Sequence, residues 1–383
     1  MLLAMLFAIL RKNMDELSFS IMPSLRDIPR QEWDRLFGQE AIEGYGYQKT
    51  LEEAGLKEFS FGYLVGKRRE KIAAIIPFFL MDFSFCMLTQ GLLRRLMLKF
   101  KRFFTLKVLF LGSPSAEEFY LGVSGEENLP LLMDGALEKL FEFCKKEKIN
   151  GIAFNNLSLS NRPLSEYLAG KKFIRMESLP GTLIKIEAHS LQEYIKGLSK
   201  NTRKDLKRKL KRSAGLVNLR TEVREDIGDI LDAVYKLYLN NFDDSSVHFE
   251  ILTPEFFKNI CRNMPGIAKF FITRDGEKIV AFNLCFIKGG YCIDKFIGLD
   301  YAVAHKYHLY FTTLCHNIDW CIKNGIRFYQ PGTTDYHPKL RLGARLIPLY
   351  IYTKSHSALL NWVLKISAPF IEPRRLDPTL KPS

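Results

Sequence analysis

The sequence predicts an α/β (α+β) protein in which two mixed sheets, each flanked by helices, follow one another along the chain. Three observations point to this. Residues 267–273 and 278–287 are apolar, β-branched and aromatic runs joined by Arg274-Asp-Gly-Glu277, a hairpin signal, and a third run at 291–298 follows Gly289-Gly290. A long amphipathic helix is expected over 303–324, where Tyr307, Tyr310, Phe311, Leu314, Cys315, Ile318, Cys321 and Ile322 share one face and Gly325 stops the pattern. Strands at 326–330 and 346–352 complete this unit, and the first half of the chain shows a similar order.

Taken from the start, residues 1–10 are apolar but followed by Arg11-Lys12, the reverse of a secretory signal, and too few to span a bilayer. They read as a flexible or surface-anchoring start, the segment 1–17. Short helices are expected at 32–37 and 48–56, then a hairpin of 59–65 and 71–81. Residues 91–107 place Leu92, Leu93, Leu96, Met97, Phe100, Phe103 and Phe104 on one helical face and Arg95, Lys99 and Arg102 on another, with no acid between. Such a helix either lies on an anionic membrane or packs on its own sheet with its cations solvated. A strand at 108–111, a helix at 129–148 and a buried strand at 151–157 complete a first domain, 18–180, ending at Pro180-Gly181.

The second domain, 181–356, opens with a strand at 182–187 and a helix over 190–212 that starts from a Ser190 cap with Glu193 three residues on. Residues 200–212 hold eight lysines and arginines against Asp205, with only Leu206 and Leu210 to face a core. Like charges four apart weaken an isolated helix, so the row suggests a compensating polyanion. Lys204, Lys207, Arg208 and Lys211 are the candidate phosphate ligands; the absence of aromatic residues argues against sequence-specific RNA reading. Helices at 223–242 and 253–264 precede the hairpin unit, and residues 357–383 form a C-terminal tail.

The net charge of +14 implies an anionic partner, whether nucleic acid, membrane or phosphorylated substrate. The seven cysteines lack a CxxC pair and read as reduced core residues of a cytoplasmic protein, peripheral at the inner membrane face if residues 91–107 bind lipid. No stable protein partner is inferred.

At Asp319-Trp-Cys-Ile-Lys-Asn-Gly325, Phe328-Tyr-Gln-Pro-Gly332, Tyr336, Lys339, Gly343 and Pro348-Leu-Tyr350 the sequence resembles the Fem-type acyltransferase-like proteins of the GNAT superfamily, often described as peptidoglycan biosynthesis or recognition proteins. Ile28-Pro-Arg-Gln-Glu-Trp-Asp34, Gln48-Lys-Thr-Leu-Glu-Glu-Ala54 and Ala73-Ala-Ile-Ile-Pro-Phe-Phe-Leu80 are similar to the opening of the same proteins. The resemblance implies tandem GNAT-like folds and transfer of an acyl or aminoacyl group to an amine. It implies no permanently bound cofactor and either aminoacyl-tRNA or acyl-coenzyme A as donor. Asp300-Tyr-Ala-Val-Ala-His-Lys306 lacks the glycines that usually receive a pyrophosphate and carries an acid, which disfavours coenzyme A. The helical insertion of several Fem-type ligases is missing as well.

Asp294 interrupts the otherwise apolar strand 291–297, where an unpartnered charge is costly to bury. It is the candidate general base, the alternative being an ion pair with Lys295 or a helix lysine. His305 and His308 near the helix start and Tyr336 are further acid/base candidates. The His-x-x-His spacing finds no third ligand, so no metal is expected. Gly332, Lys339 and Arg341 are candidate donor-binding residues, on a segment whose alternation with Leu340 and Leu342 turns part of it to the open side of the sheet.

The function these residues support is N-acyl or aminoacyl transfer onto an amine, such as that of a cell-envelope precursor. Two alternatives remain: a non-catalytic module binding an anionic glycan precursor or RNA, and an acyl-coenzyme A-dependent N-acetyltransferase.

Overall fold

The structure, a computed structural model, describes residues 17–38, 41–84, 99, 105–125, 127–216, 219–244, 251–370 and 372–380. Residues 1–10 and, apart from Lys99, residues 91–104 of the basic amphipathic stretch 91–107 therefore lie outside the described residues, while 105–107, expected in that helix, begin a strand instead. The chain divides into two compact units, one of Met1–Gln48, Lys57–Ser178 and Leu349–Glu372, the other of Lys49–Leu56, Leu179–Pro348 and Pro373–Ser383.

The first unit begins with β1 (Ser18–Met22), the helix Arg30–Phe37 and the helix Tyr45–Glu53, whose final residues count with the second unit. The hairpin β2 (Ser60–Arg68) and β3 (Lys71–Ser84) turns through Arg69 and Glu70 alone, at φ of 45° and 64°. That two-residue turn matches the twist of its strands, so the hairpin is longer than its Gly66 suggests. β4 (Thr105–Leu111), β5 (Gly122–Val123), the helix Leu129–Lys146, β6 (Gly151–Ser158), the helix Arg162–Gly170 and β7 (Ile174–Glu177) follow. Asn128 caps the long helix by accepting from the Leu131 amide at 3.2 Å. Its Leu132, Met133, Ala136, Leu137, Leu140 and Cys144 supply the buried face.

The second unit runs through β8 (Gly181–Lys185), the helices Leu191–Gly197 and Lys200–Leu216, β9 (Leu219–Arg224), the helices Leu231–Asp244 and Pro254–Asn263, and β10 (Ala268–Asp275). After these come β11 (Lys278–Lys288), β12 (Tyr291–Leu299), the helices Tyr301–Tyr307 and Leu309–Lys323, β13 (Phe328–Gln330), the helix Tyr336–Arg341 and β14 (Arg345–Ile347). Its sheet has the order β14-β8-β13-β12-β11-β10-β9, antiparallel except for the parallel pair β12 and β13.

β15 (Leu349–Ser355) and the helix Ala358–Ser367 come last, and β15 belongs to the first unit. The first sheet has the order β1-β2-β3-β4-β6-β15-β7, with β5 on β3 and one parallel pair, β4 with β6. Both sheets thus carry an antiparallel run and a single parallel pair, with one helix between β4 and β6 and two between β12 and β13.

Four sequence expectations change. The apolar run 346–352 is not one strand of the second sheet: Pro348 lacks an amide hydrogen, and the chain leaves β14 there to enter the first sheet as β15. The helix at 190–212 is two helices, because Ser199 caps the second through the Thr202 amide at 3.3 Å. The start of the expected helix 223–242 is strand, since Leu219–Arg224 pairs with β10, and the helix begins at Leu231. The long helix at 303–324 breaks at His308, a left-handed residue (φ 52°, ψ 39°) that ends one helix and begins the next.

Candidate functional site

The site forms where β12 and β13 part. Their pairing covers Tyr291 with Phe328, Cys292 with Tyr329 and Ile293 with Gln330, and then stops. Pro331 follows β13, so the ladder has no donor to continue with. On its other side β12 carries a bulge: Leu284 faces Phe296 but Cys285 faces Asp294, leaving Lys295 as the extra residue. Asp294 therefore sits at both irregularities at once.

Its carboxylate is buried, and among the described residues no cation lies in contact with it. Asn283 Nδ2 donates to both oxygens at 3.0 and 2.8 Å, Asn317 Nδ2 donates to Oδ2 at 3.1 Å, and the Tyr329 hydroxyl donates to Oδ2 at 2.7 Å. The ion pair with Lys295 or a helix lysine that the sequence left open is replaced by amide and phenol donors. Burial holds the Asp294 carboxyl above the usual carboxylate range, opposed by the Tyr329 and Asn283 hydrogen bonds and by the charge of Lys339. Among the described residues, Oδ2 accepts three of these bonds and Oδ1 one, from the Asn283 amide; the Cys285 thiol is also hydrogen-bonded to this carboxylate, and the Asn283 and Asn317 carbonyl oxygens are buried without donors.

The turn after β13 closes over this point. Gly332 has φ of 79°, and a Cβ there would stand 3.1 Å from the Asp294 carbonyl oxygen, so a side chain at this position would be strained and would crowd that oxygen. The Gly332 carbonyl accepts from the Thr182 hydroxyl at 2.6 Å and from Lys339 Nζ at 3.0 Å. Lys339 Nζ also donates to the Thr333 and Thr334 carbonyls at 2.9 and 2.8 Å. Lys339 is only 3% exposed, so its ammonium braces the turn and is not presented to a ligand. The segment 336–341 is helical, not an open strand; this turns Lys339 inward and buries Tyr336, whose hydroxyl donates to the Pro180 carbonyl at 2.9 Å.

At the outer end of the same turn, Asp335 adopts a left-handed backbone and its carboxyl is drawn to Tyr310. Desolvation raises the Asp335 carboxyl, opposed first by Lys339. Desolvation also raises the Tyr310 hydroxyl far up, with Asp335 and then Asp294 adding to it. Asp294, Tyr310 and Asp335 thus share one electrostatic neighbourhood.

The basic helix flanks the helix start. Thr202, Leu206 and Ser213 are its buried residues, while Lys204, Lys207, Arg208 and Lys211 are exposed, together with Lys200 and Arg212. Lys209 Nζ lies 3.7 Å from the Phe311 ring centroid and pairs with Asp205 at 2.9 Å. Asp205 also accepts from Arg208 at 2.8 Å and from Arg341 at 3.0 Å, so Arg341 anchors the basic helix. His308 lies close to this charge: desolvation first, then Lys209, Arg212 and Arg208, hold its imidazole below the usual range. His305 is exposed on the preceding short helix. Asp300 caps that helix through the Ala302 amide at 3.1 Å and pairs with Lys278 at 2.6 Å, so a paired carboxylate stands at its first turn.

The structure brings Asp294, Gly332 and Lys339 together and places His308 beside the basic helix, but sends Tyr336 and Arg341 to structural partners. Asn283, Asn317, Tyr329, Tyr310 and Asp335 are additional members. Asn283 and Asn317 carry the same signal as Asp294, a polar residue at an apolar-patterned position. Among the described residues no group of three or more His, Cys, Asp or Glu is placed to hold a metal, and no helix is long and apolar enough to cross a membrane.

Fold and site geometry together describe a tandem GNAT-type α/β architecture. Residues 200–340 match the Acetyltransferase (GNAT) domain family, a span holding the basic helix, Asp294 and the Gly332 turn. FemX is similar over 90% of this chain and 100% of its own, at 11% identity and a TM-score of 0.57. A tandem GNAT protein from the clavulanic acid biosynthesis pathway is similar over 89% and 99%, at 10% identity and a TM-score of 0.55. The C-terminal domain of a putative lysylphosphatidylglycerol synthetase from Agrobacterium fabrum is similar over 88% and 95%, at 12% identity and a TM-score of 0.51. No curated protein matches the chain. At these identities the likeness is one of fold: the chain has a tandem GNAT-type fold similar to that of FemX.

Proposed function

We propose that the second unit transfers an aminoacyl or acyl group to an amine at the parting of β12 and β13, with Asp294 receiving the amine proton. The observation that carries this is a desolvated carboxylate, raised in pKa and placed at the point where the sheet opens. A carboxylate with a raised pKa is a better proton acceptor, the property a general base needs. The acceptor nitrogen attacks the donor carbonyl carbon. A C–N bond forms, the ester C–O or thioester C–S bond breaks, and the amine proton passes to Asp294, which returns it to the leaving oxygen or sulfur.

The charge distribution favours aminoacyl-tRNA over acyl-coenzyme A. Lys200, Lys204, Lys207 and Lys211 recur at one-turn spacing over about 16 Å of helix, which suits a polynucleotide backbone better than one pyrophosphate. The helix start that would hold a pyrophosphate is already capped by Asp300. A tRNA donor would engage the row through its phosphates, and the amine acceptor would be a small envelope precursor such as a peptidoglycan one. The FemX and lysylphosphatidylglycerol synthetase likenesses support a reading within aminoacyl transfer. The test is to incubate the protein with radiolabelled aminoacyl-tRNA or acetyl-coenzyme A and candidate amines, and to follow label transfer. Transfer from aminoacyl-tRNA is expected; transfer from acetyl-coenzyme A alone would reverse the donor assignment.

A further inference from the structure

The helix Ala358–Ser367 turns the wrong face outward for a core helix. Leu359, Trp362, Val363 and Ile366 recur at i, i+3, i+4 and i+7, one stripe, and are 70%, 62%, 43% and 49% exposed. Other large exposed apolar residues, such as Tyr120, Leu159 and Ile251, are scattered along the sequence, which is ordinary for a protein surface. Four on one helix form a patch, and contiguous apolar patches mark interaction sites.

This face is held in place, not frayed. Asn361 donates through Nδ2 to the Ser355 carbonyl and accepts the Ser355 amide on Oδ1, both at 2.8 Å, which pins the helix to the end of β15. Ser357 caps its start through the Leu360 amide at 3.3 Å, and Leu364 is buried beneath it. The stripe is therefore presented on a fixed scaffold at the β15–β7 edge of the first sheet.

The charges around it are one-sided. Residues 351–367 contain Lys354, His356 and Lys365 and no acid. Arg175 in the adjoining strand β7 and Lys171 and Lys172 just before it add positive charge; Glu177 is the acid in β7, and Asp134 is paired with Lys171 at 2.5 Å. An apolar stripe carrying a tryptophan and bordered by lysine and arginine is the composition of a helix that lies in the interface of an anionic membrane. We propose that this helix docks the protein on an anionic lipid surface, Trp362 and its neighbours entering the headgroup boundary while the surrounding cations meet lipid phosphates. The proposal is independent of the transferase reading, since every residue in it belongs to the first unit.

The test uses the full chain with vesicles of phosphatidylcholine, with and without phosphatidylglycerol, in a cosedimentation assay. Binding to the phosphatidylglycerol vesicles is expected to weaken with added salt. The double variant Trp362→Ser, Ile366→Ser should bind about tenfold or more weakly, from the apolar area it no longer buries. Its thermal unfolding should match that of the unaltered protein, because both side chains are exposed. Equal vesicle binding by the variant, or no binding by the unaltered chain at low salt, would overturn the proposal. So would a dimer in sedimentation velocity that the variant dissociates, since a second copy would then own the stripe.

Discussion

The Tyr329 hydroxyl donates to Asp294 Oδ2 at 2.7 Å, joining β13 to β12 at the level where the two strands separate. The bond favours the ionised carboxylate, against the burial that raises its pKa. Tyr329→Phe removes that support, so the acid limb of the pH–rate profile should move to higher pH. Stability should fall by about 1–2 kcal/mol, the cost of a lost bond to a charged group. An acid limb that stays in place while stability falls would assign Tyr329 a purely structural part.

Reversing Lys204, Lys207, Arg208 and Lys211 to glutamate tests the basic row. All four are exposed, so the fold should persist by circular dichroism. Affinity for tRNA at low salt should fall by about 10²-fold or more, and the slope of log affinity against log salt should shrink by about three. Unchanged affinity would return the row to an ordinary solvated surface.

Asp205 accepts from Lys209, Arg208 and Arg341, and the Lys209 hydrogen bond leads in holding its carboxyl well below the usual range. With the folded pKa below the unfolded one, its stabilisation is fully present above the unfolded value and disappears as pH falls through the folded value. Asp205→Asn should cost about 1–2 kcal/mol at neutral pH and less in strong acid. Denaturant titrations at the two pH values check the sign; an equal loss at both would contradict it.

A chain ended at Pro348 lacks β15, which pairs β6 on one side and β7 on the other. Tyr352 of β15 is 4% exposed and belongs to the first unit's core. Hydrogen exchange should show β6 and β7 losing protection. Retained protection in both strands would show that the first sheet is complete without its C-terminal strand.

Much of this was legible in the residues and some was not, for physical reasons. Hairpins and amphipathic helices have local periods, so the order of elements and the focus on Asp294 follow from spacing and from one charge in an apolar run. The destination of β15 depends on pairing across more than a hundred residues, which Leu349 to Tyr352 alone do not encode. The break at His308 needs a left-handed non-glycine residue that pattern does not announce. At 336–342 the polar–apolar alternation fits a strand and a short helix equally, and only the helix buries Lys339 against three carbonyls.

The most direct measurement is turnover of Asp294→Asn with aminoacyl-tRNA and an amine acceptor. A general base accounts for about 10²-fold or more of rate, so turnover should fall by at least that much. Donor affinity should stay unchanged, because the basic row is untouched. Full turnover in Asp294→Asn would contradict the account and leave Asp294 as the buried tie between Asn283, Asn317 and Tyr329.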